Sequence, residues 1–290
     1  MIYTKRNIKL AKSAGFCYGV NRAVKSAVEL KQNSNRNVYV LGELIHNAHV
    51  IKELSDMGIK TVSELPENDC GYCVIRSHGI APETIDEIKN KGYEILDMTC
   101  PDVKKVQQKA IELVKNDYLL LILGKESHPE VEAIKANALK YSNNVFIIND
   151  ENDLQNKLEK IKEKEKIGIV IQTTQKIDFL KNIVIELLPI TKELKVFNTI
   201  CPSTAKRQKE AVKIAKESDL MIVIGGKNSA NTTHLAEILK EITPTIHIED
   251  SKELSTYKNL IERSMNIGVT AGASTPKKII DDVIEKIECK

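Results

Sequence analysis

The chain has 290 residues, 42% hydrophobic and 29% charged, as is typical of a soluble globular protein of about two domains, with one or three also open. Positively and negatively charged residues are interleaved along the chain and give a net charge of +3, which argues against a nucleic-acid or membrane partner. Its apolar runs are too short to cross a bilayer, and the N-terminus carries no export pattern. We therefore expect a cytoplasmic protein whose six cysteines are thiols or metal ligands.

Three similar segments follow one another along the chain. In each, a cysteine precedes a stretch with helical spacing, and a strand-like apolar run then ends in glycine at nearly the same distance. A second strand, small-polar turn and helix complete each unit. This alternation predicts an α/β fold of three repeats, each a small, mostly parallel sheet flanked by helices. The predicted repeats are residues 1–99, 100–200 and 201–290.

The three cysteines that open the repeats are Cys17, Cys100 and Cys201. Ligands of parallel α/β sheets sit where strands end and helices begin, and proline after Cys100 and Cys201 suits a first helical position. A helix N-terminus favours a thiolate, so the three could bind one metal group. Structural zinc and iron–sulfur clusters normally take four ligands, and three would leave an open iron. The spacing alone does not decide between zinc and an iron–sulfur cluster. It also allows three buried cysteines with a structural role.

A second cysteine pair, Cys70 and Cys73, has the CxxC spacing of redox motifs. It opens a strand instead of a helix and has no counterpart in the other repeats. We interpret it as incidental, and Cys289 has no argued role.

Polar side chains collect in the loops that follow the predicted strands. If the repeats converge, histidines, amides, hydroxyls and helix N-termini would form a pocket suited to a diphosphate. A buried Glu130 there would have the raised pKa that a proton donor needs. Taken singly, each of these residues is more often a helix cap or a loop residue. The set comprises His46, His78, His128, Glu130, Gln172–Thr174, Lys227–Asn231 and Ser274.

The whole chain resembles the 4-hydroxy-3-methylbut-2-enyl diphosphate reductase family, the last enzymes of the non-mevalonate isoprenoid pathway. The resemblance lies in the ordered motifs GFCYGV, GELIHN, IRSHG, DMTCP, LGKESHPEVE, QTTQ, NTICPSTAKRQ, GGKNSANTTHL and TAGASTP. It implies a cloverleaf of three α/β repeats around a [4Fe–4S] cluster with three cysteine ligands and one open iron for the substrate hydroxyl. The implied ligands are Cys17, Cys100 and Cys201.

The resemblance also implies roles for the polar residues. Glu130 delivers protons, Thr173 positions the substrate alcohol, and His128 counts with both the catalytic and the binding residues. Two electrons, from a donor such as ferredoxin or flavodoxin, and two protons remove the hydroxyl as water through an allyl anion. The products are isopentenyl and dimethylallyl diphosphate. The implied substrate-binding positions are His46, His78, His128, Thr173, Ser229, Asn231 and Ser274.

One departure and two rival interpretations remain. Many members have a serine where this chain has Ala230, so one diphosphate contact is missing or is replaced, for example by Thr232.

A quinolinate-synthase-like dehydratase also uses three repeats and three cysteines, but it needs no external electrons. A non-catalytic metal-binding or redox-sensing protein would have no diphosphate pocket.

Overall fold

The computed structural model describes residues 6–67 and 69–288. Strands and helices alternate along this part of the chain, except that the strands Ile59–Val62 and Tyr72–Ile75 follow one another without a helix between them. A 3₁₀ helix (Ser251–Tyr257) precedes the tenth α-helix. In chain order the elements are β1 (Asn7–Leu10), α1 (Tyr18–Gln32), β2 (Val38–Leu41), α2 (Ala48–Asp56), β3 (Ile59–Val62), β4 (Tyr72–Ile75), α3 (Pro82–Asn90), β5 (Glu94–Asp97), α4 (Pro101–Lys115), β6 (Leu119–Leu123), α5 (Pro129–Leu139), β7 (Val145–Ile148), α6 (Glu151–Lys162), β8 (Lys166–Ile171), α7 (Ile177–Leu187), β9 (Glu193–Phe197), α8 (Pro202–Ala215), β10 (Leu220–Ile224), α9 (Ala230–Lys240), β11 (Thr245–Ile248), α10 (Lys258–Arg263), β12 (Asn266–Ala271) and α11 (Lys277–Glu288).

The strands form three four-stranded sheets with one repeated topology. Their orders are β3-β2-β4-β5, β7-β6-β8-β9 and β11-β10-β12-β1. Every pairing is parallel, as the alternation of strands and helices predicts. The predicted α/β fold of three repeats with parallel sheets is confirmed.

The first strand of the chain belongs to the third sheet. Asn7–Leu10 pairs in register with 266–269 of β12, although the sequence analysis grouped these residues with the first repeat. Strand β1 thus takes the position that β5 and β9 hold in the other two sheets. The repeat boundaries near residues 100 and 200 stay a prediction.

The described chain divides into two compact units. One contains the third sheet and comprises residues up to 21, residues 45–54 and residues from 202 onward. The other contains the first two sheets and comprises residues 22–44 and 55–201. Below, the two are called the third-sheet unit and the two-sheet unit. No helix in the described part of the chain has the length and apolarity to span a bilayer.

Both faces of the central strands are covered. All five residues of β6 are buried, and their side chains alternate between two apolar clusters. Leu120 and Ile122 pack with side chains of α4 and α5, whereas Leu121 packs with those of α6 and α7. Burial of each such side chain contributes roughly 1.5–3 kcal/mol. Strand β10 has the same alternation in the third-sheet unit, so the ends of these strands are held rigidly.

A glycine with positive φ ends the first strand of each repeat. The φ angles are 72° at Gly42, 158° at Gly124 and 144° at Gly225. A Cβ at Gly124 would lie 2.8 Å from the Gln172 Cβ, and one at Gly225 would lie 2.6 Å from the Thr275 hydroxyl. Glycine therefore lets each loop pass close to the turn that follows the neighbouring strand.

Candidate functional site

One backbone hydrogen bond recurs at the three candidate cysteines. Each cysteine immediately precedes a helix, and Cys100 is the N-cap of α4, as the following proline predicts. Each cysteine N–H donates to a carbonyl in the turn after the third strand of a repeat, so the cysteine loop is tied to that turn. The bonds run from Cys17 to Ala273 (3.1 Å), from Cys100 to Ser77 (2.9 Å) and from Cys201 to Thr173 (3.0 Å).

The residue pattern did not predict that the three acceptor turns form a structural set. Ser77, Thr173 and Ala273 occupy the same place, two residues after the end of a strand, in the segments CVIRSHG, IVIQTTQ and VTAGAST. Each turn is closed by its own backbone bond, for example Gly79 N–H to the Arg76 carbonyl at 3.0 Å. The shared position was visible in the sequence, but the bond uses only backbone atoms and so leaves no residue-type signal.

The cysteine side chains are half-buried. None of the described cysteines is in a disulfide. The Val20 N–H, in the first turn of α1, faces the Cys17 sulfur at 3.5 Å. A sulfur at a helix N-terminus that faces backbone N–H groups is positioned to act as a metal ligand.

The CxxC pair lies in a different environment. Cys73 is fully buried within β4, and this burial raises the pKa of its thiol to about 11. Cys70 is exposed at the preceding loop. A neutral, buried Cys73 thiol does not suit redox exchange, which agrees with the interpretation of this motif as incidental.

Glu130 and Thr173 form a buried pair in the two-sheet unit. Glu130 lies in the first turn of α5 and is 1% exposed. The Thr173 N–H donates to Glu130 Oε1 and the Thr173 hydroxyl to Oε2, both at 2.7 Å. Since the Thr173 carbonyl also accepts the Cys201 N–H, one residue connects the carboxyl group to the loop of a candidate ligand.

Burial controls the proton affinity of Glu130. Desolvation raises the pKa of its carboxyl group to about 7, and the two hydrogen bonds from Thr173 oppose this rise. Near neutral pH the group therefore exchanges a proton readily, which is the property of a general acid.

Two histidines lie in the same unit as Glu130. His128 is the N-cap of α5, and its Nδ1 accepts the Glu130 N–H at 3.1 Å. The ring proton is therefore on Nε2, which makes Nε2 a hydrogen-bond donor. The His78 ring lies edge-on to His128 with centroids 5.5 Å apart. This unit thus brings together His78, His128, Glu130 and Thr173.

The third-sheet unit groups other candidate residues. The Ser274 hydroxyl donates to the His46 carbonyl at 3.0 Å, which ties the loop after β12 to the loop before α2. Gly226 approaches the same carbonyl so closely that a Cβ there would lie 3.1 Å from it. His46, Ser274 and the Gly-rich loop before α9 are therefore neighbours.

The N-terminus of α9 presents unused polar groups. Ser229 is the N-cap, but its side chain makes no capping bond, and the backbone N–H of Thr232 bonds the Ser229 carbonyl instead. The Asn231 side chain is 6% exposed, and its Nδ2 has no hydrogen-bond partner in the described chain. A buried unpaired amide is costly, so this group indicates a ligand.

Thr232 does not directly take over the diphosphate contact of the serine that many family members have at position 230. Its hydroxyl is fully buried, and a Cβ at Gly272 would lie 2.0 Å from it. The hydroxyl thus packs against the end of β12, whereas Ala230 is half-buried at the first position of α9.

Comparison with known proteins gives one family over almost the whole chain. The profile of the LytB protein family matches residues 8–288. A 4-hydroxy-3-methylbut-2-enyl diphosphate reductase of Geobacter metallireducens is 44% identical, with 97% of this chain and 96% of the relative covered. The enzyme of the same name from Pelobacter propionicus is 43% identical, with 96% of each chain covered.

Two solved structures are similar to this chain. The structure of an (E)-4-hydroxy-3-methyl-but-2-enyl diphosphate reductase, described as the terminal enzyme of the non-mevalonate pathway, has a TM-score of 0.72 at 38% identity. It covers 98% of this chain and 100% of its own. The structure of the Plasmodium falciparum E-1-hydroxy-2-methyl-but-2-enyl-4-diphosphate reductase has a TM-score of 0.88 at 26% identity. The match covers 98% of this chain and 88% of that one.

The buried Glu130 predicts a specific pH dependence of stability. Its folded-state pKa of about 7 lies above its ordinary value of 4.5, so the folded chain binds the proton more tightly. The stabilisation is fully present below pH 4.5 and is lost as the pH rises through 7. Glu130→Gln keeps the bond from the Thr173 N–H at its amide oxygen and replaces the other by a bond from its Nε2–H to the Thr173 hydroxyl oxygen, without titrating. As the pH rises from 5 to 8, we expect the free energy of unfolding of this variant to increase relative to that of wild type by on the order of 3 kcal/mol.

Urea unfolding at the two pH values measures this difference. Glu132→Gln, which removes an exposed carboxylate from the same helix, is the matched control. A relative stability of Glu130→Gln that is the same at both pH values would contradict the raised pKa.

Proposed function

Because the chain belongs to the LytB protein family, we propose that it reductively dehydroxylates 4-hydroxy-3-methylbut-2-enyl diphosphate. The substrate takes up two electrons and two protons, its allylic C–O bond breaks, and the hydroxyl leaves as water. The allylic carbon skeleton is released as isopentenyl or dimethylallyl diphosphate. The chain is an oxidoreductase of the non-mevalonate pathway acting on a diphosphate substrate.

The observation that carries the chemistry is the Glu130–Thr173 pair. Loss of hydroxide from an allylic carbon requires a proton at the leaving oxygen, and a carboxyl group of pKa about 7 supplies it near neutral pH. The Thr173 hydroxyl donates to one carboxyl oxygen, and its oxygen can still accept a hydrogen bond from the substrate alcohol. Glu130 is therefore the general acid, with Thr173 and His128 as its partners.

Members of this family depend on an iron–sulfur group. We assign its ligands to Cys17, Cys100 and Cys201, as one [4Fe–4S] cluster with an open iron. The donor set fits: three half-buried thiols, each at a helix N-terminus and each with its N–H bonded to an equivalent turn. When bound, the cluster supplies a Lewis acid for the hydroxyl oxygen and the route for electrons.

The diphosphate is assigned to side-chain hydrogen-bond donors. In the third-sheet unit these are His46, Ser229, Asn231 and Ser274, and the unpaired Asn231 amide supports the assignment. In the two-sheet unit they are His78 and the Nε2–H of His128. Such donors and a helix N-terminus fix an anionic group while the other end of the substrate reacts.

The remaining assignments concern the cellular setting. We propose a ferredoxin or flavodoxin as the one-electron donor, a cytoplasmic location and no nucleic-acid partner. The small net charge of +3 supports the absence of a nucleic-acid partner. A requirement for reductant separates this function from that of a quinolinate-synthase-like dehydratase, whose turnover would persist without one.

Replacement of a cluster ligand is expected to remove iron. Cys17→Ser, Cys100→Ser and Cys201→Ser should each lose most of the bound iron and sulfide, because a serine hydroxyl is a poor ligand for iron. Metal analysis of anaerobically purified protein measures the loss. Cys70→Ser, at an exposed cysteine, is the control and should keep its iron; equal loss in Cys70→Ser would refute the ligand assignment.

Asn231 is expected to contribute to diphosphate affinity. Asn231→Ala removes a hydrogen bond to a charged group, worth about 1.5–3 kcal/mol, so substrate affinity should fall roughly 10- to 100-fold. Calorimetric titration with substrate and with inorganic diphosphate measures both affinities. Lys240→Ala, at an exposed residue at the other end of the same helix, should bind as wild type does. Unchanged affinity in Asn231→Ala would count against this end of the site.

Glu130→Gln is expected to slow the chemical step alone. The amide keeps the shape, accepts the Thr173 N–H at its oxygen and can donate its Nε2–H to the Thr173 hydroxyl oxygen, but it delivers no proton, so kcat should fall on the order of 10²–10⁴-fold. KM and iron content should barely change. Glu132→Gln is again the control, and a Glu130→Gln enzyme with full iron and near-wild-type kcat would exclude Glu130 from the mechanism.

A further inference from the structure

A histidine near the end of β11 holds the Gly-rich loop before α9 (residues 225–229). His247 is the third residue of β11, and its imidazole is half-buried. Its Nε2 lies 2.8 Å from the Gly225 carbonyl oxygen. Because a carbonyl oxygen only accepts, the ring proton is on Nε2 and His247 is the donor. Burial lowers the pKa of His247, so the ring is neutral near neutral pH.

Two further bonds from the end of β11 hold the same loop. The Gly225 N–H donates to the Ile248 carbonyl at 2.9 Å, and the Lys227 N–H donates to Glu249 Oε1 at 2.8 Å. The Glu253 carboxylate accepts the Glu249 N–H at 2.8 Å and pairs with the Lys227 ammonium at 2.6 Å. Lys227, the only charged residue of the loop, is therefore held by a carboxylate of the 3₁₀ helix.

The second repeat has the same arrangement without the histidine. The Gly124 N–H donates to the Ile148 carbonyl at 3.0 Å, and the Glu126 N–H donates to Asn149 Oδ1 at 2.8 Å. These bonds correspond in position to the two backbone N–H bonds of the Gly-rich loop. The residue in the place of the histidine is Ile147, which packs in an apolar cluster. An imidazole donor is thus not required to form a turn of this kind.

The two loops differ in their backbone freedom. The third repeat has Gly225 followed by Gly226, whereas the second has Gly124 followed by Lys125. Glycine at the second place leaves room for the His46 carbonyl, which a Cβ would approach to 3.1 Å. Since glycine loses more conformational freedom on ordering than other residues, two in succession are costly to fix. The bond from the imidazole restrains the loop at this point.

The Gly-rich loop leads directly into residues that we assign to the diphosphate. Ser229 is its last residue and the N-cap of α9, and Asn231, with its unpaired amide, lies in the first turn. The Ser229 N–H donates back to the Gly226 carbonyl at 3.1 Å, and the Thr233 hydroxyl donates to the Lys227 carbonyl at 3.2 Å. The backbone path of the loop therefore determines where these polar groups lie.

We propose that His247 is a positioning residue for the diphosphate end of the substrate. The inference rests on the proposed function, because it takes Ser229 and Asn231 as diphosphate ligands. By holding the Gly225 carbonyl, His247 orders the loop before the anion binds, so that binding does not bear the cost of ordering it. Preorganisation of this kind strengthens binding and leaves the chemical step at the other end of the substrate unchanged.

Substitutions that separate the hydrogen bond from the stability of the fold test the proposal. His247→Ile introduces the side chain found at this place in the second repeat and removes the bond. His247→Gln keeps an N–H donor in place of the imidazole Nε2–H. Thr243→Val is the matched control, since it removes a hydroxyl bond of 3.0 Å to the Ser218 carbonyl just ahead of β11.

Calorimetric titration with inorganic diphosphate gives the affinity of each variant, steady-state kinetics give kcat and KM, and melting curves give the stability. We expect His247→Ile to bind diphosphate roughly 3- to 10-fold more weakly, the range that one hydrogen bond covers, and to raise KM by a similar factor at unchanged kcat. His247→Gln should recover most of the affinity. Thr243→Val should bind as wild type does, although it also loses a hydrogen bond.

Wild-type affinity in His247→Ile would overturn the positioning role, and so would an equal loss in Thr243→Val, because a general loss of stability would then explain both. Binding by His247→Gln as weak as that by His247→Ile would overturn the hydrogen bond as the cause. If His247→Ile fails to fold, His247→Met, with a flexible apolar side chain, is judged by the same outcomes. A wild-type protein that binds neither substrate nor inorganic diphosphate contradicts the proposed function, and this inference with it.

Discussion

The peptide N–H of each candidate cysteine donates to a carbonyl in the turn that follows a neighbouring β-strand. This bond ties the start of a helix to the end of a sheet, and it occurs once per repeat. The sheets can hold that position because both faces of their central strands are covered by aliphatic side chains. Core packing thereby fixes the backbone from which each thiol projects.

The turns that accept these bonds also present side chains, and here the repeats differ. Ser77 donates its hydroxyl to the Leu44 carbonyl, Thr173 donates to Glu130, and Ala273 has no hydroxyl. Only the second repeat has both the threonine and the buried carboxyl group. Among the described residues, the same backbone framework therefore carries a buried carboxyl group beside the turn of the second repeat.

The electrostatic properties of Glu130 and Arg207 follow from their burial. Glu130 takes its pKa of about 7 from desolvation, and the Thr173 bonds limit the rise. Arg207 is buried as well, and its terminal N–H groups donate to carbonyls before Cys17 and at the end of β12. Burial thus raises the proton affinity of one group, whereas the other holds the backbone ahead of Cys17.

The sequence alone determined the three-fold α/β pattern, because the spacing of cysteines, apolar runs and glycines repeats along the chain. It also pointed to Glu130 beside Thr173, which are 43 residues apart and lie in bonding contact. Only the tertiary structure placed β1 in the third sheet, since four residues at a sheet edge carry no pattern that names their partner strand. Likewise, only the structure revealed the carbonyls held by Arg207 and the unpaired amide of Asn231, because contacts to backbone atoms and the burial of a polar group depend on packing between remote segments.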